Sequence, residues 1–250
     1  MSNQPFFGTK FFWGVKNPDA VVKARDDIAA QFRSPVGMFA SDNLITFGRN
    51  LGFLGDQVFM ESWRRNSSAI HERGIIWRTQ VLVWAARQGL RLEGDFVECG
   101  CYKGVSARIV AETVGFNDTG RHFWLYDVFE HDQSMPHHAM PEHSKDLFEQ
   151  VKDRFADMPT AHVIKGFLPQ SLAQGEPEKI AFMHIDLNNG DAEIATLEVL
   201  WERMVPGAIL VLDDYGASPY RRSHELETAW FAKRGYSVLE LPTSQGIVIK

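Results

Sequence analysis

The stretch D-F-V-E-C-G-C-Y-K-G, Asp95 to Gly104, indicates the fold more clearly than any other part of the chain. Its apolar start is typical of a buried strand, Glu98 closes that strand, and Gly100 marks a sharp turn before a helix. Glycines at such a turn let the backbone approach a ligand closely, and a helix N-terminus offers free N–H groups. A cysteine stands where dinucleotide-binding proteins carry the second glycine of their G-x-G-x-x-G fingerprint, so that fingerprint is missing.

Short apolar runs alternate with helical segments from this stretch to the end of the chain. The runs are 95–98, 122–126, 161–165, 180–185, 208–212, 237–241 and 246–250, and the helices are predicted at 75–88, 105–114, 145–158, 192–203 and 219–234. This alternation is typical of an α/β fold with a parallel sheet covered by helices on both faces. The last two runs are too close in sequence for a helical crossover and should pair antiparallel. We therefore predict a mostly parallel seven-stranded sheet with an antiparallel last strand.

The first 70 residues differ from the rest in charge and aromatic content. They hold 8 basic and 6 acidic residues in a chain whose net charge is −6. Asn17-Pro18 is typical of a helix start, and apolar spacing extends that helix to Arg33. A second helix is predicted at 56–65 and mostly loop at 34–55. We expect a mainly helical extension at 1–70, which covers substrate or forms a homodimer contact, and a catalytic domain at 71–250.

Composition excludes several classes of function. The acidic balance argues against a nucleic-acid partner, which a clustered basic face would favour. No stretch approaches the ~18 apolar residues of a membrane span, and the N-terminus lacks the pattern of a signal peptide. The only two cysteines, Cys99 and Cys101, are too close together for a disulfide or a zinc site. These features lead us to expect a cytoplasmic protein with no membrane partner.

Ligands of parallel α/β sheets bind beyond the carboxyl ends of the strands, so the residues there are the candidate site. The acid-x-Gly-x-x-x-Gly loop resembles the first motif of class I S-adenosylmethionine-dependent methyltransferases, although a purely structural turn would also explain it. Asp127 ends the second strand at a spacing that suits an acid bound to ribose hydroxyls, or it caps a surface turn. Phe167 could stack on a purine or cover the core edge. The candidate cofactor-binding residues are Glu98, Gly100, Cys101, Tyr102, Gly104, Asp127, Gly166 and Phe167.

Three carboxylates follow the fourth and fifth strands of the sheet. Asp186 ends M-H-I-D, and Asp213 and Asp214 end the next strand. Adjacent parallel strands bring these acids together, where they would repel each other unless a cation neutralised them. Oxygen ligands alone favour a hard ion such as Mg²⁺. Capping of the following helix or turn is the alternative role of Asp213 and Asp214.

The chain resembles the macrocin/mycinamicin-type sugar O-methyltransferase family in the order Glu98-x-Gly100, Asp127, Gly166, His184-Ile185-Asp186, Pro206-Gly207, Asp213-Asp214-Tyr215. The resemblance covers roughly residues 75 to 250. It implies a Rossmann-like class I methyltransferase fold that binds S-adenosylmethionine and a divalent metal and methylates deoxysugar hydroxyls. It also implies that Asp186, Asp213 and Asp214 are the metal ligands. Catechol O-methyltransferase is similar, which keeps other small diols among the expected acceptors.

The chain departs from the family beside the expected substrate. Where the family usually has Asp-x-Asp-Leu-Tyr-Glu, this chain has Asn188 in place of the second acid and Gly190 in place of the tyrosine. Asn189 falls where the catechol enzyme has its basic lysine. These changes bear on the acceptor and the proton acceptor more than on the fold or cofactor.

The function indicated is a Mg²⁺-assisted O-methyltransferase that uses S-adenosylmethionine and a small-molecule hydroxyl acceptor, a sugar or glycan precursor. The metal would lower the pKa of the hydroxyl, and Asp186 is the candidate proton acceptor. The alternatives are a metal-independent small-molecule methyltransferase and a non-catalytic cofactor-binding homologue.

Four of the nine histidines lie between the second strand and the following helix: His131, His137, His138 and His143. Their spacing matches no standard metal pattern, and we expect this long loop to cover the cofactor as a lid. His184, just before Asp186, is expected to be a core histidine that faces away from that acid.

Overall fold

The structure is a computed structural model that describes residues 5–33, 37–133, 135 and 139–250. The chain forms two compact units, Met1–Gln80 and Val81–Lys250. The division falls inside a helix rather than after residue 70, where we placed the boundary of the extension. The extent of each functional domain stays a prediction.

The first unit combines helices with a small sheet. Its strands are β1 (Phe6–Gly8), β2 (Met38–Ser41) and β3 (Leu44–Phe47), and its helices are α1 (Pro18–Ala29), α2 (Gln57–Asn66) and α3 (Ile70–Gly74). β1 pairs parallel with β2, and β2 pairs antiparallel with β3. The Asn17 side chain accepts a hydrogen bond from Ala20 N at 3.1 Å, which confirms the predicted helix start.

The prediction of mostly loop at 34–55 is wrong, because a hairpin occupies 38–47. Its turn residues Asp42 and Asn43 have φ values of 51° and 56°, the left-handed conformation that tight hairpin turns require. Asp-Asn is a weaker hairpin signal than Asn-Gly, and its flanking segments were too short to show clear alternation.

The second unit contains the predicted seven-stranded sheet. Its strands are β4 (Asp95–Cys99), β5 (Phe123–Asp127), β6 (Ala161–Lys165), β7 (Ile180–Ile185), β8 (Met204–Leu212), β9 (Leu239–Glu240) and β10 (Gly246–Ile249). Their order across the sheet is β6-β5-β4-β7-β8-β10-β9. Neighbours are parallel from β6 to β8, and β10 runs antiparallel to both β8 and β9. The predicted fold class is confirmed.

Helices surround this sheet in the described part of the chain. They are α4 (Ile76–Gly89), α5 (Val105–Thr113), α6 (Leu147–Arg154), α7 (Gly190–Leu200) and α8 (Arg221–Ala232). Every residue of β7 is buried, as expected for a central strand covered on both faces. Of the helices described, none has the length and apolar character needed to cross a membrane.

The sheet fixes where the candidate site residues lie. Parallel pairing sets Glu98 opposite His184 and Cys99 opposite Ile185, and it sets Ile185 opposite Leu212 on the other side. The carboxyl ends of β4, β5, β7 and β8 therefore meet at one edge of the sheet. The residues that follow these ends form the candidate site.

Candidate active site

Gly100 forms the tightest turn of the site, between β4 and α5. Its φ is +90°, and a Cβ built on it would lie 1.9 Å from the carbonyl oxygen of Asp186. The Asp186 N–H in turn donates to the Cys99 carbonyl at 2.8 Å. Only glycine allows the β4 turn to lie this close to the end of β7.

Asp127, at the end of β5, ties two loops together. Its Oδ2 accepts a hydrogen bond from Tyr102 N at 2.7 Å, and its Oδ1 accepts one from Phe129 N at 2.7 Å. Tyr102 and Phe129 both have positive φ, so the carboxylate holds two strained turns in place.

A cavity of about 830 Å³, part of which is open to solvent, lies at this edge of the sheet. It brings together six of the predicted residues: Gly100, Tyr102, Asp127, Gly166, Phe167 and Asp186. The remaining lining residues are Val128, Met140, His143, Leu168, Leu187, Asn188, Asn189 and Ala192. Phe167 is 43% exposed and contributes its side chain to the cavity wall.

Three predicted cofactor residues lie outside the cavity wall. Glu98 and Cys101 are buried, and Gly104 precedes α5 with a φ of +67°. Burial, together with the neighbouring Asp127 and Glu98, raises the pKa of the Cys101 thiol well above its ordinary value, so this cysteine is an unreactive neutral thiol. These three residues belong to the segment from β4 to α5 but do not line the cavity. Their contact with a cofactor stays a prediction.

The three predicted metal-binding acids do converge. Asp186, Asp213 and Asp214 each offer an oxygen, and these atoms lie within 4.8 Å of one another. Asn188 Nδ2 donates to Asp186 Oδ1 at 3.1 Å, and Gln245 Nε2 donates to Asp213 Oδ1 at 2.9 Å. Three partly exposed carboxylates at this spacing suit a hard divalent cation such as Mg²⁺.

Two further acids lie beside this triad, in a second cavity of about 210 Å³. Glu193 comes from α7 and Glu227 from α8, and both are buried. Burial is the main cause that raises the pKa of Glu193 to about 7 and that of Glu227 to about 9. Neither acid was predicted as a site residue, because the sequence of a helix does not show which of its side chains face the strand ends.

His184 is buried as predicted, but it lies between two of the predicted site acids. Its Nδ1 is 2.8 Å from Glu98 Oε1, and its Nε2 is 3.5 Å from Asp213 Oδ1. Burial lowers the pKa of this histidine, yet the favourable interactions of the imidazole with the Asp213 and Glu98 carboxylates outweigh burial and raise the pKa to about 10. Burial raises the pKa of Glu98.

The loop after β5 contacts the first turn over the cavity. Met140 and His143 line the cavity, and the Tyr102 hydroxyl donates to Glu142 Oε2 and accepts from Glu142 N at 2.9 Å. Lys103 forms an ion pair with Glu142 at 3.3 Å. The predicted lid residues His137 and His138 lie outside the described residues.

A family model for a methyltransferase domain matches residues 97–215, from within β4 to just beyond Asp213 and Asp214. A curated relative is the 8-demethyl-8-(2,3-dimethoxy-alpha-L-rhamnosyl)-tetracenomycin-C 4'-O-methyltransferase of Streptomyces olivaceus. It is 24% identical over 147 residues, which cover 51% of this chain and 55% of that protein. The match thus spans about half the length of this relative.

Several solved structures share the fold. The O-methyltransferase NovP matches 76% of this chain and 87% of its own, with 16% identity and a TM-score of 0.60. CalS11, a calicheamicin methyltransferase, matches 96% of this chain and 95% of its own, with 13% identity and a TM-score of 0.57. The methyltransferase PaMTH1 of Podospora anserina, solved with S-adenosylhomocysteine, matches 77% of this chain and 87% of its own, with 14% identity and a TM-score of 0.53. At these identities the likeness establishes the fold.

Proposed function

We propose that the chain is an S-adenosylmethionine-dependent O-methyltransferase that acts on a hydroxyl of a sugar or other small diol. The methyltransferase-domain model that matches residues 97–215 and the shared class I fold support this proposal. One observation carries the proposal: the cavity at the strand ends and a triad of carboxylates share Asp186 at their border. A cofactor and a metal-bound hydroxyl would therefore lie side by side. Two names support a sugar acceptor: the Streptomyces relative is named for a rhamnosyl-bearing compound, and CalS11 is described as a TDP-rhamnose 3'-O-methyltransferase.

Backbone and side chains of the cavity suit the parts of the cofactor. The turn at Gly100 and Tyr102 allows close approach by the methionine half, while the Asp127 carboxylate, which lines the cavity at the end of β5, suits the ribose hydroxyls. Gly166 and the exposed ring of Phe167 suit the adenine. When bound, S-adenosylmethionine supplies a methyl group on a sulfonium. The residues of this chain supply its alignment with the acceptor oxygen.

The triad would hold a divalent cation, which supplies positive charge that lowers the pKa of a hydroxyl. Asp186 faces both cavities and is our candidate for the group that takes the hydroxyl proton. Asn188 cannot act as a base, and its amide instead donates to Asp186 and fixes that carboxylate. His143 accepts the Met140 N–H on Nδ1, so its neutral form carries the proton on Nε2 and cannot accept another there.

Titration with Mn²⁺ tests the proposed metal site, and electron paramagnetic resonance measures the concentration of free Mn²⁺. We expect one tight Mn²⁺ site in the wild type and at least about tenfold weaker binding in Asp213→Asn, because one ligand charge is lost. Asp191→Asn is the matched control, since Asp191 is exposed and paired with Arg222. Equal Mn²⁺ affinity in the wild type and Asp213→Asn would show that the triad is not the metal site.

The reaction is tested by transfer of a tritiated methyl group from S-adenosylmethionine to a panel of deoxysugar nucleotides and catechols. We expect product that EDTA and Asp213→Asn both abolish. Product that survives both would identify a metal-independent methyltransferase. Cofactor binding without product from any hydroxyl acceptor would favour the non-catalytic homologue.

A further inference from the structure

A line of buried polar side chains crosses the carboxyl edge of the sheet and joins the two halves of the site. It starts at Glu98 on β4, passes through His184 on β7 and reaches Asp213 after β8. Gln245, just before β10, continues it by donating to Asp213 Oδ1 at 2.9 Å, and the Thr243 hydroxyl donates to Gln245 at 3.0 Å. One residue from each of four neighbouring strand ends thus enters a single network.

His184 is the central member, because its Nδ1 is hydrogen-bonded to Glu98 Oε1 at 2.8 Å, while its Nε2, which makes no hydrogen bond, lies 3.5 Å from Asp213 Oδ1 at ion-pair distance. The side chains of His184 and Glu98 are only 5% and 4% exposed, and that of Asp213 is 14% exposed. Water therefore has little room to replace either partner, and the ring cannot turn without losing one of them. The position of the ring depends on Glu98 and Asp213 together.

The two ends of this network point to different ligands. Glu98 precedes Gly100, a wall of the larger cavity, by two residues, and its Oε2 is buried without a hydrogen-bond partner. Asp213 belongs to the carboxylate triad. An unpartnered buried oxygen costs free energy that a bound donor would recover. The network therefore joins a group suited to the cofactor side with a group suited to a cation.

We propose that His184 is a positioning residue that couples the two halves of the site: by holding Glu98 and Asp213 at once, it makes the cofactor and the divalent cation bind cooperatively. The inference rests on the proposed function. A cation that fixes Asp213 also fixes His184 and Glu98, so the turn at Gly100 that follows Glu98, and that lines the larger cavity, is already ordered when the cofactor binds. Linkage requires the reverse effect to be of equal size.

The test is calorimetric titration of S-adenosylhomocysteine into the protein, once with saturating MgCl₂ and once with EDTA. In the wild type we expect affinity to be at least about fivefold higher with Mg²⁺, the lower end of common coupling factors. Mn²⁺ affinity should rise by the same factor when S-adenosylhomocysteine is present.

Two variants each keep one arm of the imidazole. In His184→Asn the amide replaces Nδ1 and can still donate to Glu98, whereas in His184→Gln it replaces Nε2 and can still donate to Asp213. In both variants we expect the cofactor affinities with and without Mg²⁺ to differ by less than about twofold, because the coupling needs both contacts of the imidazole. His162→Gln is the control: His162 pairs with His122 on neighbouring strands, outside both cavities, and should keep the wild-type factor.

A purely structural His184 would give different results. Its loss would lower melting temperature and both affinities, yet the ratio with and without Mg²⁺ would stay at the wild-type value, and that outcome overturns the inference. A wild-type ratio near one also overturns it while leaving the proposed function in place. A wild type that binds no S-adenosylhomocysteine at all contradicts both.

A spectroscopic measurement on the wild type decides the matter if neither variant folds. His184 is the one buried histidine among the described residues, so its ring N–H signals should be protected from exchange in ¹⁵N-histidine-labelled protein. We expect MgCl₂ and S-adenosylhomocysteine, added separately, each to shift these signals. A shift with only one of the two ligands overturns the coupling.

Discussion

At the residue scale, the site depends on a few contacts between strand ends. Gly100 makes the closest of these, and its replacement is a direct test. A Cβ at Gly100 would meet the Asp186 carbonyl oxygen at 1.9 Å, so the end of β4 or β7 must move. We expect Gly100→Ala to cost about 1–3 kcal/mol of unfolding free energy and to weaken S-adenosylhomocysteine binding by at least about tenfold.

Gly115→Ala is the matched control for Gly100→Ala. Gly115 has a positive φ of +64°, but a Cβ there meets nothing within 4 Å. The control should show a modest stability loss from backbone strain alone, with cofactor affinity unchanged in calorimetry. Equal affinity losses in the two variants would contradict the contact between Gly100 and Asp186 as the cause.

Glu227 makes stability depend on pH. Burial, aided by Glu193 and Asp214, raises its pKa from 4.5 to about 9 in the folded protein. The folded state therefore holds a proton that the unfolded state releases, and stability must fall as pH rises from about 4.5 to about 9. Each pH unit inside this window costs about 1.4 kcal/mol for one full proton.

We expect Glu227→Gln to remove this part of the pH dependence, because the amide does not ionise. Urea unfolding at pH 6 and pH 8 in EDTA measures it: the wild type should lose more stability between the two values than Glu227→Gln does. Glu225→Gln, exposed on the same helix, should behave like the wild type. Identical pH slopes in wild type and Glu227→Gln would refute the assignment.

The positions of residues that directly follow strands could be predicted from the sequence. Asp186, Asp213 and Asp214 meet because parallel strands end at one edge, a consequence of topology that alternation alone revealed. Glu193 and Glu227 were not predicted, because their place depends on how α7 and α8 turn toward the sheet. The link between Glu98 and His184 depends on the register of β4 and β7, which the sequence does not state.

At the scale of elements, the start of α7 shapes one wall of the cavity. Asn189 caps this helix by accepting a hydrogen bond from Ala192 N at 3.1 Å, and both residues line the cavity. We expect Asn189→Ala to cost about 1 kcal/mol, as for other caps, and to weaken S-adenosylhomocysteine binding because the wall loosens.

Asn17→Ala provides a matched comparison, since Asn17 caps α1 with the same 3.1 Å bond in the first unit. It should cost a similar free energy of unfolding and leave cofactor affinity unchanged. Thermal unfolding and calorimetry of the two variants together measure both effects. If Asn189→Ala binds as tightly as Asn17→Ala, the cap has no role in the site.

The elements themselves were predicted best where apolar runs were long. All seven strands of the large sheet appear near their predicted places, and α2 (Gln57–Asn66) lies close to the helix predicted at 56–65. The hairpin at 38–47 was missed, because strands of four residues carry too few alternating positions to stand out from loop. Its stability comes from tertiary burial of residues such as Phe39.

At the scale of the whole molecule, the acids of the proposed site are all found in the second unit. The chain carries a net charge of −6, and the strand-end acids Glu98, Asp127, Asp186, Asp213 and Asp214 all belong to the second unit. Such a cluster costs electrostatic free energy unless ligands and cations offset it. We therefore attribute part of the net negative charge to the binding of the cofactor and the cation. The role of the first unit in substrate contact or dimer formation stays a prediction.

The account rests most directly on binding of S-adenosylmethionine, measured by calorimetric titration of the wild type, Asp127→Ala and the exposed-acid control Asp118→Ala. We predict one cofactor per chain for the wild type and the control. Asp127→Ala should bind at least about tenfold more weakly, because the loops at Tyr102 and Phe129 lose their shared anchor. A wild type that binds no S-adenosylmethionine would contradict the account.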